Sequence, residues 1–141
     1  MKSSAFRDLA LLIARVGIGI IFVAHGWQKF FTNGIDKTQV AFDGMGAPMP
    51  DLSAILAASV ELGGGLLLIV GLLTPIAGIL LFLDMLGAFF IVHADQGLFM
   101  PMGYELVLAL GVSSLLIAAV GAGRLSVDAL LGGRLAATAS V

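Results

Sequence analysis

Arg15-Val-Gly-Ile-Gly-Ile-Ile-Phe-Val-Ala-His25-Gly-Trp-Gln-Lys29-Phe-Phe31 is an apolar run carrying three basic or titratable side chains, and its reading decides the fold. Arg15 and Lys29 lie fourteen positions apart, about 21 Å along a helix, which is most of the roughly 30 Å of bilayer hydrocarbon. A segment that served only as an anchor would not carry Arg15. A cation deep in hydrocarbon costs from about 3 kcal/mol upward and needs a partner or a wet recess. At about 100° per residue, Arg15, His25 and Lys29 share an arc of about 80°, with Gly19, Phe22 and Gly26 between them. One face of this helix is therefore polar and locally thin.

The composition extends that reading to the whole chain. Of 141 residues, 60% are hydrophobic and 11% charged, with a mean hydropathy of +1.11; a soluble domain would carry about 25% charged residues. Residues 1–141 are expected to form a single integral membrane domain. The net charge of −2 and the lack of a basic run exclude nucleic acid as a partner. With no cysteine, a thiol redox centre, a Cys-ligated iron–sulfur cluster and c-type haem attachment are excluded in this chain. Lys2 and Arg7 before an apolar run resemble a secretory signal, but no small-residue cleavage site follows, so the run reads as a retained first span.

Four spans are predicted, at about 9–31, 52–73, 76–92 and 104–120. Between the first two, Asp36 is placed to begin a short interfacial helix over Lys37–Asp43 that Gly44 and Gly46 end. Thr74-Pro75 supplies a tight turn, and Ser126–Leu131 forms a short surface helix. The connections are short, so the fold class is all-α, an antiparallel four-helix transmembrane bundle. Lys2, Arg7, Arg124 and Arg134 flank the ends of the chain, whereas Asp36, Asp43, Asp51 and Asp95 lie in the opposite loops. The positive-inside tendency places both termini in the cytoplasm.

Within that frame Arg15 lies roughly 9 Å from the cytoplasmic face, Asp84 roughly 12 Å from it, and Glu61 roughly 14 Å from the outer face. The three are expected to meet within a turn or two, with Arg15 in salt-bridge reach of Glu61 or Asp84. His25, Lys29, His93 and Glu105 collect above them as an outer polar mouth. His93 fits less well, because nine residues put it about 180° from Asp84 on a straight helix. Blander readings stand beside these. The Arg15 cluster could be a packing clamp, His25 and Lys29 an interfacial anchor with Trp27, and Glu105 a first-turn acid. Gly17-Ile-Gly19 follows no strand and is not a nucleotide loop. No His or carboxylate pair has metal-ligand spacing within one helix, so no metal is expected. Phe82, Phe89, Phe90, Phe99 and Met100 face lipid or core, or line a quinone-sized slot.

Taken in order, Arg15-Val-Gly-Ile-Gly with His25-Gly-Trp-Gln-Lys29-Phe, Glu61-Leu-Gly-Gly-Gly with Gly71-Leu-Leu-Thr-Pro75, Asp84-Met-Leu with Phe90-Ile-Val-His93, and Gly103-Tyr104-Glu105 resemble the DoxX family of small four-helix membrane proteins. The resemblance runs from about Leu9 to Leu131. It implies the bacterial inner membrane and a likeness to the membrane subunit of a thiosulfate:quinone oxidoreductase. It also implies soluble partners such as superoxide dismutase or a sulfurtransferase. The expectation is a membrane redox component, a subunit of a quinone-linked oxidoreductase, that holds a quinone near Arg15, Glu61 and Asp84 as the catalytic set. His25, Lys29, His93 and Glu105 would bind the quinone or relay protons. No haem, iron–sulfur cluster or nucleotide is expected. The alternatives are a scaffold that recruits soluble redox enzymes and a small proton or solute transporter. The glycines of the second span allow a homo-oligomer as well as internal packing.

Overall fold

The computed structural model describes residues 2–99, 101 and 103–138, so Met100 lies outside the described residues. The chain is an all-α four-helix bundle. The first span is α1 (Lys2–Trp27) prolonged by a π-helical turn, Gln28–Thr32. After α2 (Ile35–Gly44) comes the second span, built from α3 (Pro50–Ser59), a π turn at Val60–Gly64 and α4 (Gly65–Val70). The third is α5 (Thr74–Ala88) with a π turn at Phe89–His93. A shorter apolar helix, α6 (Glu105–Val120), makes the fourth wall, and α7 (Val127–Thr138) follows it. The predicted interfacial helix is present as α2, and the predicted surface helix is longer than expected.

Local chemistry explains these boundaries. Pro50 and Pro75 sit in the first turns of α3 and α5, where the missing N–H costs nothing and the fixed φ suits a helix. Gly71, at φ 69°, closes α4. Its N–H donates to the Leu68 carbonyl (3.2 Å) while the Leu72 N–H reaches back to Leu67 (3.0 Å), the paired bonds of a Schellman stop. A Cβ at Gly71 would collide with the Arg15 guanidinium and Ser126. Glycine is therefore required there for space as well as for conformation.

Glycine also sets the distance between α1 and the second span. A Cβ at Gly19 would fall 2.7 Å from the Gly65 carbonyl oxygen, and one at Gly26 would fall 2.5 Å from the Leu62 nitrogen. The two backbones touch, as expected where lipid supplies no hydrophobic drive and close packing must hold helices together. Phe22, Leu68, Ala77, Leu81, Met85, Leu110 and Ile117 form the buried centre. The early turns of α1 and the segment after α6 lie at the same end of the bundle, where the Arg124 N–H donates to Asp8 (3.1 Å).

The hairpin between the second and third spans is held from two sides. Arg15, fully buried, donates through Nη1 to the Leu68 carbonyl (3.1 Å) and through Nη2 to the Leu125 carbonyl (2.5 Å). It thereby satisfies a carbonyl at the C-terminal end of α4, where cations are favoured. Asp128 does the opposite at the start of α5. Its carboxylate accepts the Leu73 N–H (2.8 Å) and the Thr74 N–H (2.9 Å), two donors that a helix start leaves orphaned. The Asp128 N–H then donates to the Gly71 carbonyl (2.9 Å). Burial pushes the Asp128 carboxyl up, but the two N–H bonds and the Arg15 charge outweigh it and hold the group below its usual 3.8.

Arg15→Met should therefore destabilise the bundle by about 3 kcal/mol or more, since two charge-assisted bonds are lost and two carbonyls are left unpaired. Thermal unfolding in detergent measures this. A carboxyl held low in the folded state contributes stability above its unfolded pKa and loses it as pH falls through the folded value. The wild-type midpoint should therefore fall as pH drops below about 4. Asp128→Asn should start lower and lose less across that range.

Candidate functional site in the upper bundle

The expected meeting of Arg15 with Glu61 and Asp84 does not occur. Arg15 is spent on the Gly71 hairpin, while Gly26 packs on Leu62 beside Glu61. Eleven residues of α1, about 16 Å, separate the two levels. The depth estimate failed because it started all spans from one plane. The first span runs over Ala5–Thr32, so its opening turns extend past the hairpin and lower Arg15 to the hairpin's own level.

What answers Glu61 is Lys29. Its Nζ lies 2.5 Å from Glu61 Oε2, with Lys29 20% and Glu61 6% exposed. The predicted inner and outer groups therefore merge across α1 and the second span. Asp84 of α5 is half-buried and lies close enough to feel both the Glu61 and the Lys29 charge. One ammonium and two carboxyls thus stand together, at a place where the bundle is hollow.

The hollow is a cavity of about 730 Å³, within the range of about 300–1,000 Å³ typical of small-ligand sites. Its polar wall is made by His25, Lys29, Glu61, Asp84 and His93. Phe22, Val60, Met85, Leu106, Val107 and Leu110 supply part of the apolar wall, and Phe42, Met45 and Ala47 close it from the α2 side. Glu105 opens α6 just before Leu106 and Val107 but is not among the cavity's lining residues. Its N–H donates to the Leu98 carbonyl (2.9 Å). Among the described residues no cluster of His, Asp or Glu has the arrangement of a metal site.

The three π turns locate the polar wall. Lys29 lies in the first, Glu61 in the second and His93 in the third. A π turn bonds i to i+5 and widens the helix locally, and such turns recur at functional sites. The widening at Phe89–His93 also removes the 180° objection to His93, which lines the same cavity as Asp84. Sequence periodicity carries no mark of these turns. The nearest signal was Gly63-Gly64-Gly65, two residues after Glu61, where a run of glycines weakens helical geometry. The roof formed by Phe42 and Met45 was also missed, because the segment read only as an interfacial connection. The Trp27 and Phe31 rings meet at 4.3 Å with a 42° tilt and are exposed, while His25 and Lys29 line the cavity.

Comparison with known proteins identifies the family of the chain. The DoxX family model matches residues 10–94, a stretch that holds Arg15, His25, Lys29, Glu61, Asp84 and His93 and stops short of Glu105. The inner membrane protein YphA of Escherichia coli is 38% identical over 79 residues, 55% of this chain and 55% of its own length. The Bacillus subtilis protein named "Putative oxidoreductase CatD" is 40% identical over 81 residues, 57% of this chain and 58% of its own. A Haemophilus influenzae protein is 36% identical over 107 residues, 73% of this chain and 76% of its own. The chain thus spans little more than half the length of the first two relatives. No solved structure matches it.

Because Lys29 and Glu61 are in contact and largely buried, the losses from removing the two partners should be less than additive. Lys29→Met alone should cost about 3–5 kcal/mol in detergent unfolding. The double variant Lys29→Met/Glu61→Gln should recover about 1–3 kcal/mol of the summed single losses. Strict additivity would show that the pair is not formed.

Proposed function

The chain belongs to the DoxX family, and on that premise we propose that it is the membrane component of a redox system and binds a quinone-like molecule in the cavity between α1, α3, α5 and α6. The observation that carries this reading is an apolar hollow whose one polar corner holds an ammonium and two carboxyls. A bound quinone would supply the reversible uptake of two electrons and two protons. Lys29 Nζ is the donor to the ring oxygen and the positive charge that favours its reduced form. Glu61 fixes the Lys29 side chain by the 2.5 Å contact, and Asp84 is the carboxyl that exchanges a proton at its Oδ atoms with the ring oxygen. His25 and His93 carry that proton between the cavity and its α2 end. Arg15, expected to stabilise the reduced oxygen, is reassigned to the hairpin.

The name of CatD, as a relative of an oxidoreductase type, supports redox chemistry rather than transport. Electrons come from a soluble partner, because a chain without cysteine carries no thiol of its own for the task. That partner docks at the end of the bundle that carries the chain termini, where Arg7 and Arg124 are exposed. We place this end in the cytoplasm of a bacterial inner membrane, on the distribution of basic residues and the name of the relative YphA.

Two measurements test these assignments. Calorimetry or fluorescence on purified protein should detect a benzoquinone with micromolar affinity, about 8 kcal/mol. Lys29→Met should weaken that binding by about tenfold or more, while Arg15→Lys leaves the affinity of the folded fraction unchanged. Absence of binding by wild type refutes the reading. The lack of native cysteine makes topology equally direct. A single cysteine introduced at exposed Phe6 or Arg124 should react with an impermeant maleimide only after cells are opened. One at exposed Lys37 should react in intact spheroplasts.

A further inference from the structure

The cavity has a side opening that its polar corner does not explain. Leu56 on α3 and Leu80 and Leu83 on α5 line the cavity and are also 54%, 45% and 52% exposed. A side chain that does both marks an aperture. The packing of the helices accounts for it. α5 rests on the Val60–Gly64 turn, on α4 and on α6, whereas α3 rests on α2, α1 and the same turn. Above that turn α3 and α5 part company and leave a slot.

The α5 side of the slot is a single stripe. Leu80, Leu83, Gly87 and Ile91 follow at spacings of three and four, one face of a helix, and all four line the cavity. A Cβ built at Gly87 meets no heavy atom within 4 Å, so the glycine leaves the slot open at this level. Leu80 and Gly87 stand six and thirteen residues past Thr74, about 9 and 20 Å along the helix. Both therefore lie at hydrocarbon depth, and the slot faces acyl chains rather than water. Its edges are mainly aliphatic; among the described lining residues the charged groups are Lys29, Glu61 and Asp84, and Asp84 lies on the same α5 stripe, between Leu83 and Gly87.

We infer that the gap between α3 and α5 is a lateral portal, and that the ligand of this site is a lipid-phase quinone whose ring sits at Lys29 and Asp84 while its long aliphatic tail passes between Leu56 and Leu83 into the bilayer. This rests on the quinone reading of the cavity and adds the class of quinone and its route. Access is from the membrane plane, so the ring reaches the charged corner without crossing the α2 roof. A side chain at Gly87 would project into the slot, and the backbone accepts one because Gly87 lies in regular helix with no neighbour to displace.

The test compares two benzoquinones with the same ring substituents, one without a tail and one with a decyl tail, on protein in phosphatidylcholine nanodiscs. Wild type should bind the tailed compound about tenfold tighter or more after correction for partitioning, since several methylenes contact the slot. Gly87→Leu should reduce that advantage to about threefold or less. Gly17→Leu, on an exposed lipid face of α1, should behave as wild type. Should Gly87→Leu not fold, a decyl tail ending in a diazirine on wild type should label Leu56, Leu80 or Leu83 on irradiation. A tail advantage that survives in Gly87→Leu, or label confined to α2, overturns the portal and leaves the cavity reading standing. Failure of wild type to bind either compound overturns the cavity reading itself.

Discussion

One guanidinium determines how the bundle is assembled. Arg15 reaches from α1 to the Leu68 carbonyl of α4 and the Leu125 carbonyl ahead of α7, and Asp128 completes the arrangement by taking two N–H groups from the start of α5. Two elements distant in sequence, α1 and α7, are thereby keyed to the three-residue turn between α4 and α5. A cation with fixed planar donors suits this task, because the carbonyls at a helix end present acceptors in set directions. With the hairpin pinned at that end, α3 and α5 are free to diverge at the other. The hollow above the Val60–Gly64 turn is a consequence of where the bundle is tied.

That division separates two kinds of charge. At the hairpin end, polar side chains answer backbone groups, and each bond closes a helix terminus. At the α2 end, charged side chains answer one another across a cavity, on turns whose widened geometry costs helix stability. Lys29, Glu61 and His93 each lie on one such turn, which ties the site to local irregularity in three separate spans.

The sequence made much of this legible, and the failures are physical. Four apolar runs, the tight turn at Thr74-Pro75 and the short helix between the first two spans followed from hydropathy, proline and glycine. Glu61, Asp84, Lys29, His25 and His93 were marked as site residues because ionisable groups in apolar spans demand a reason. The partners of Arg15 were invisible, since they are backbone carbonyls, those of Leu68 and of Leu125, 53 and 110 positions away, and no local pattern links them. The pairing of Lys29 with Glu61 was hidden by the assumption of a common starting plane, which α1 violates. The π turns leave no periodic signature, so the inward aim of His93 could not be read from a straight helix.

The unequal helices have a further effect on the surroundings. The first span covers 28 residues, Ala5–Thr32, and α6 only 16, about 42 and 24 Å at the usual rise. A bilayer about 30 Å thick in its hydrocarbon region matches neither. Lipid must thicken, or the helix tilt, along α1, and lipid must thin along α6, each at fractions of a kcal/mol per Å. The protein therefore presents a perimeter of varying thickness, and in a mixed membrane its two flanks would gather different acyl chain lengths around them.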